Sequence, residues 1–204
     1  MRALILVDIQ NDFVEGGALA VKDGAATAEV ANRISGRFPL VVATQDWHPA
    51  DHLSFAANHA GREVGERIEL DGVQQILWPR HCVQQSHGAE FVDRLELAHV
   101  RHVVQKGTDR RVDSYSGFFD NARLRETGLA EYLTGEGVRE VSIMGLATDY
   151  CVKFTALDAI SLGFDCQLIE DGCRGVELNP GDSAAALAEM RDAGVRCIQS
   201  GSLA

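Results

Sequence analysis

The chain has 204 residues, 46% of them hydrophobic and 24% charged, with 20 glycines, 4 prolines and a formal net charge of −11. Such a composition belongs to a globular protein with enough chain to bury a core, and it excludes fibrous or disordered classes. The acidity is spread without long like-charge blocks, which argues against a nucleic-acid partner, because a phosphate backbone needs a basic face.

The first element expected is a buried strand, Ala3–Val7, running into Asp8. Only five apolar residues separate Arg2 from Asp8, and no apolar run approaches the roughly 20 residues of a bilayer span. Neither a secretory signal nor a membrane segment is therefore expected. The five cysteines are odd in number and irregular in spacing, so reduced thiols in a cytoplasmic setting are expected instead of a disulfide framework. Residues 25–35 place Val30, Ala31 and Ile34 on one helical face, and Leu40–Thr44 reads as the next strand. The stretch from His48 to His99 is longer than an ordinary connection and breaks the rhythm. Further strands are expected at His102–Gln105, Glu140–Met144, Asp165–Ile169 and Arg196–Gln199. Between them, helices are expected at 152–162, stopping at Gly163, and at 182–193, with Leu187 and Met190 inward. Strand alternating with helix predicts one α/β domain over residues 1–204: a three-layer α/β/α arrangement around a mainly parallel sheet of six strands.

In such a sheet, ligands sit beyond the carboxyl ends of the strands. Three of the runs end in reactive groups: Asp8, Lys106, and Cys151 in Val141-Ser-Ile-Met-Gly-Leu-Ala-Thr-Asp-Tyr-Cys151. Cysteine is more often a small core hydrophobe, and Cys166 and Cys197, inside strands, are read so. Cys151 differs because a helix is expected to open there, and the helix start together with Lys106 should favour the thiolate. Asp8 would move protons and Lys106 would supply the fixed positive charge.

A second group follows the strand Leu40–Thr44. Asp46 and His48, two apart on extended backbone, project to one side and offer a carboxylate and an imidazole. With a third ligand from Trp78-Pro79-Arg80-His81-Cys82, they suit a borderline divalent ion. His52, His59 and Cys82 are further candidate ligands, while His87, His99 and His102 are read as ordinary surface or hydrogen-bonded histidines. Phe13, Trp78, Tyr115 and Tyr150 each lie beside a candidate functional residue and would wall a pocket for a flat ring. Gly16-Gly17 would let the backbone bend over that pocket.

Taken together, Val7-Asp8-Ile9-Gln10-Asn11-Asp12-Phe13, Gln45-Asp46-Trp47-His48-Pro49, Trp78-Pro79-Arg80-His81-Cys82-Val83, Lys106-Gly107, Asp113-Ser114-Tyr115-Ser116-Gly117-Phe118 and Gly145-Leu146-Ala147-Thr148-Asp149-Tyr150-Cys151-Val152 resemble the nicotinamidase group of the isochorismatase-like cysteine hydrolases. The resemblance covers nearly the whole chain, with residues 54–77 the least diagnostic. It implies a six-stranded parallel sheet, hydrolysis of nicotinamide to nicotinate and ammonia, and pyrazinamide as a second substrate. It also implies a catalytic triad of Asp8, Lys106 and Cys151 and one metal ion on Asp46, His48 and His81. That ion would be zinc first, with iron or manganese as alternatives. His52 matches a fourth ligand of some relatives. A cis Leu146–Ala147 peptide is implied too, with the N–H groups of Ala147 and Cys151 forming the oxyanion site. Self-association into a homo-oligomer is compatible with all of this. Two readings compete: another hydrolase of the same fold, acting on isochorismate, ureidosuccinate or carbamoylsarcosine, and a binding relative without turnover. The metal set counts against the first and the complete triad against the second.

Overall fold

The computed structural model describes residues 1–70 and 72–203. Eight strands and four α-helices follow one another as β1 (Arg2–Val7), α1 (Ala26–Ser35), β2 (Leu40–Asp46), β3 (Arg67–Leu70), β4 (Val73–Ile76), β5 (Val100–Lys106), α2 (Leu129–Gly135), β6 (Glu140–Leu146), α3 (Lys153–Ser161), β7 (Asp165–Arg174), α4 (Asp182–Asp192) and β8 (Arg196–Ile198). Six strands form one sheet in the order β5-β2-β1-β6-β7-β8, and every neighbouring pair is parallel. Flanking helices complete the expected three-layer arrangement.

The strand order explains the burial. The central β1 and β2 are covered on both faces, so Ala3–Val7 and all of β2 are buried, and both read as continuous uncharged runs, that of β2 ending at Asp46. β5 lies at the edge and alternates, with Arg101, Val103 and Gln105 exposed; the buried strand expected at His102–Gln105 is therefore a half-exposed one. In β6, Gly145 sits at φ +131°, and a Cβ there would run into the Val7 carbonyl, so β1 and β6 approach as closely as they do only because this position is glycine. α1 buries Val30, Ala31 and Ile34 as expected, and α4 buries Met190, with Leu187 partly buried.

Two elements lay outside the expected pattern. The long connection after β2 contains the antiparallel hairpin β3–β4, and the short α2 follows Gly128. The helix expected to open at Cys151 begins instead with a π turn, Thr148–Val152, which continues into α3. Among the described residues no helix is long and apolar enough to cross a membrane.

The topology also fixes where a site can form. From β1 the chain moves outward through β2 to β5, then returns to place β6 on the other side of β1. The strand order therefore reverses between β1 and β6, the position at which open α/β sheets leave a crevice beyond their carboxyl ends. Asp8 follows β1 there, and the Cys151 turn follows β6.

Candidate active site

Lys106, the last residue of β5, is the hub of this crevice. It is 1% exposed, and its Nζ lies 2.8 Å from Asp8 Oδ2, 2.5 Å from Asp46 Oδ1, 2.9 Å from the Ser114 carbonyl oxygen and 3.4 Å from Cys151 Sγ. The Cys151 sulfur and one carboxylate oxygen from each of Asp8 and Asp46 lie within 4.8 Å of one another. The three strand-end residues thus meet. Sequence reasoning did not foresee that the lysine would be shared between Asp8 and Asp46, joining the two candidate groups into one.

Each side chain is held by its neighbours. Asp8 adopts a left-handed backbone (φ 48°), which aspartate tolerates better than most residues. Its Oδ1 accepts the Thr44 hydroxyl at 2.6 Å, and its N–H reaches the Thr44 carbonyl at 3.3 Å. Gln10 clamps Asp46: its amide donates to the Asp46 carbonyl at 2.9 Å, and its carbonyl accepts the Asp46 N–H at 2.8 Å. Asp12 accepts the Cys82 N–H at 2.7 Å, tying down the segment that carries His81. The Leu146–Ala147 peptide is cis, as the resemblance implied.

Burial sets the electrostatics. It pushes the Asp8 carboxyl up, with Lys106 opposing and Asp46 reinforcing. For Asp46 burial acts in the same sense, but Lys106 and then His48 outweigh it and hold the carboxyl well below the usual range. Burial works against the Lys106 charge, yet Asp46 and Asp8 overcome it and the ammonium is firmly kept. Cys151 corrects the expectation of a resting thiolate. Burial pushes the thiol well up; Lys106 pulls down with the expected sign, but Asp8 and Asp46 push up again. The thiol is favoured over the thiolate, beside the Asp8 carboxyl.

The candidate ligands Asp46, His48 and His81 are all buried, and their donor atoms lie within 4.8 Å of one another. Asp46 Oδ2 stands 3.4 Å from His48 Nε2 and 3.7 Å from His81 Nε2. Donors around a tetrahedral ion at bonds of about 2.0–2.1 Å are spaced by about 3.3 Å. The imidazoles are oriented correctly as well. His48 Nδ1 meets the Gly107 carbonyl at 2.9 Å, and His81 Nδ1 meets the Pro79 carbonyl at 2.8 Å. A carbonyl only accepts, so both Nδ1 atoms carry the proton and both Nε2 lone pairs are free, the usual support of a metal-bound histidine. Among the described residues His48 Nε2 is buried without a hydrogen-bond partner. Burial disfavours a charge on His48, yet Asp46, helped by Asp113 and the Gly107 carbonyl, more than reverses this and raises its pKa, so the field there attracts a cation. The residues fit a divalent ion.

The further candidates divide. His52 Nδ1 accepts the Ser54 N–H at 3.0 Å, and burial lowers its pKa to about 4, so the ring is neutral and its proton sits on Nε2. In this state His52 offers a donor, not a lone pair. His59 Nε2 is engaged with the Leu53 carbonyl at 2.8 Å, and Cys82 is buried with its thiol pushed well up by burial and by Asp46; neither joins a ligand group among the described residues. His102 stacks on Tyr132.

Phe13, Trp78, Tyr115 and Tyr150 line one cavity with Asp46, His81, Ala147 and Cys151, enclosing about 340 Å³ of empty space including its mouth. Trp78 stands edge-on to Tyr150 (centroids 4.9 Å apart, planes at 88°) and donates its indole N–H to the Tyr115 hydroxyl at 3.0 Å. Phe13 lies 5.5 Å from the His81 ring. Leu19, Asp113 and Val176 also line this cavity and were not foreseen as pocket residues. A Cβ on Gly17 would strike the carbonyls of Asn11 and Asp12, so its smallness lets the chain pass close to the turn at residues 11–13.

Comparison with known proteins agrees with this geometry. Residues 2–202 match the family model described as the isochorismatase domain. The chain is 52% identical to the nicotinamidase of Escherichia coli over 197 residues, covering 95% of this chain and 92% of the relative. The nicotinamidase/pyrazinamidase structure from Acinetobacter baumanii superposes with a TM-score of 0.97 at 45% identity, covering 100% and 98% of the two chains. A pyrazinamidase of Pyrococcus horikoshii solved in complex with zinc gives a TM-score of 0.79 at 39% identity over 97% and 98%. The chain belongs to the isochorismatase domain family of hydrolases.

Proposed function

We propose that this protein hydrolyses the carboxamide of nicotinamide to nicotinate and ammonia, and that of pyrazinamide likewise. One observation carries the reading: Cys151, Asp8 and Lys106 meet at the end of an aromatic cavity that also opens on Asp46 and His81. The similarity to nicotinamidases supports the substrate.

The cavity walls Phe13, Trp78, Tyr115 and Tyr150 receive the flat ring and present its carboxamide to Cys151. The Cys151 sulfur attacks the carbonyl carbon as its proton passes to Asp8. The N–H groups of Ala147 and Cys151 hold the oxyanion; losing one such donor typically costs about 3 kcal/mol. Asp8 returns the proton to nitrogen, the C–N bond breaks, and ammonia leaves a nicotinoyl thioester. Asp8 then takes a proton from water, whose oxygen attacks the thioester and releases nicotinate. The Cys151 sulfur regains its proton as it leaves. Lys106 opposes the burial that favours a protonated Asp8 and so stabilises its ionised form between these transfers.

Asp46, His48 and His81 would hold the divalent ion, with zinc the first choice and iron or manganese acceptable to the same donors. When bound, the ion supplies a Lewis-acidic anchor for the ring nitrogen, directly or through water, and so fixes the ring's orientation. His52 acts as a hydrogen-bond donor beside it. The reading includes one hydrolase domain spanning the chain and a reduced cytoplasmic setting, in keeping with five free cysteines. Assembly into a homo-oligomer is part of the same proposal.

The test is ammonia release from nicotinamide, pyrazinamide and benzamide by the zinc-loaded protein and by Cys151→Ala. Nicotinamide and pyrazinamide should be turned over by the wild type and neither by the variant. Benzamide, which lacks the ring nitrogen, should be poor; benzamide turned over as fast as nicotinamide would refute the anchoring role.

A further inference from the structure

Asp113 is a buried charge in the cavity to which the mechanism above gives no task. It is 3% exposed and lines the cavity beside Asp46 and His81. Its Oδ1 accepts the Ser114 N–H at 2.7 Å and its Oδ2 accepts the Gln75 amide at 3.3 Å, both neutral donors. A second triad of potential ligating atoms, from His48, His52 and Asp113, lies within 4.8 Å of one another and shares only His48 with the first. The Asp113 carboxylate is therefore grouped with the same His48 that would hold an ion on Asp46 and His81, without belonging to that ligand set. Among the described residues, the Nε2 atoms of His48 and His52 are both buried without a hydrogen-bond partner.

We propose that Asp113 is a positioning residue for the divalent ion, accepting hydrogen bonds from ion-held water that His52 fixes from the other side. The inference rests on the metal reading above. His52 presents an N–H and Asp113 presents acceptors, the two kinds of partner a water needs to be held in one orientation. Charge points the same way. The Lys106 ammonium is balanced by Asp8, and a divalent ion on Asp46 alone would leave one positive charge in excess in a buried site; the Asp113 carboxylate neutralises it. Asp113 thus strengthens ion binding and holds the water through which the ring nitrogen is met.

The experiment compares wild type with Asp113→Asn, which keeps shape and removes charge. Metal is stripped with a chelator, zinc is titrated back against a chromophoric competitor, and Tm is measured with and without zinc. The Asn variant should bind zinc about 10–100-fold more weakly, as expected when a supporting partner of a metal site is lost. Its metal-free Tm should be equal to or above wild type, and only the zinc-induced rise should shrink. Zinc affinity within about twofold of wild type would overturn the proposal, since an outer partner of the ion should count for more. A parallel fall of both Tm values would overturn it too, because that is the behaviour of a residue serving only the fold. Asp113→Ser repeats the test if the Asn variant does not fold, and failure of both to fold would likewise place Asp113 in the fold alone. A wild type that binds neither zinc, iron nor manganese would instead sink the metal reading itself.

Discussion

Replacing Lys106 with methionine keeps a stem of similar length and removes the charge on which Asp8 and Asp46 both lean. Breaking a buried ion pair by deleting one partner typically costs about 3–5 kcal/mol, and here the ammonium lies within 2.8 Å of one carboxylate and 2.5 Å of another. The variant has one escape, to protonate a carboxyl. From an ordinary value of 3.8, that costs about 5.7 kcal/mol at pH 8 but only about 1.6 kcal/mol at pH 5. The sign follows directly. Without Lys106 the folded-state carboxyl pKa rises above its unfolded value, so the compensating stability is complete below 3.8 and is lost as pH rises through the folded value. At pH 5 His48, already lifted by Asp46, supplies the second charge. Urea unfolding of metal-free Lys106→Met and wild type should show a gap of about 3–5 kcal/mol at pH 8 that narrows toward about 1.6 kcal/mol at pH 5. A gap below about 1 kcal/mol at pH 8, the size of a surface pair, or one that does not narrow, would refute the description of Lys106 as the shared counter-charge.

Other expectations follow from single contacts. Thr44→Val removes the 2.6 Å hydrogen bond to Asp8; a bond to a charged group contributes about 1.5–3 kcal/mol, so kcat should fall roughly 10–100-fold in a steady-state ammonia assay. Gly107 has φ +64°, and a Cβ there would overlap the His48 ring; Gly107→Ala should therefore lose bound metal, read by elemental analysis of the purified protein, while Gly128→Ala, with open space around it, should keep its metal. Gln10→Ala leaves the buried Asp46 N–H and carbonyl without this partner and should destabilise the fold by about 2–6 kcal/mol in urea unfolding, at roughly 1–3 kcal/mol for each buried group left unpaired.

Much of this was legible in the chain because the central strands are buried on both faces and end abruptly in polar residues. β1, β2 and β6 announce themselves as aliphatic runs, and Asp8, Asp46 and Cys151 follow from where those runs stop. The hairpin β3–β4 was not legible: Arg-Ile-Glu-Leu and Val-Gln-Gln-Ile are four-residue, half-exposed segments with too little apolar signal to stand out. α2, seven residues that follow Gly128 and end on Gly135, is too short to show a helical period. The Cys151 thiol was misjudged for a related reason. Its helix and Lys106 are visible locally, but burial and the nearness of Asp46 depend on how distant strands assemble. Thr44 and Gln10 lie in segments already singled out, yet only the register of β2 beside β1 gives them partners. Asp113, within a quoted motif, acquires His48, His52 and Gln75 as neighbours only when the loop after β5 folds.

The most direct test of the cysteine route is rapid acid quench of wild type mixed with excess nicotinamide, with intact-mass and peptide analysis within the first turnover. Mass added by one nicotinoyl group on the peptide carrying Cys151, absent from Cys151→Ala, is the expected result. Steady ammonia release by the Ala variant, or an acyl group trapped on any other residue, would contradict it.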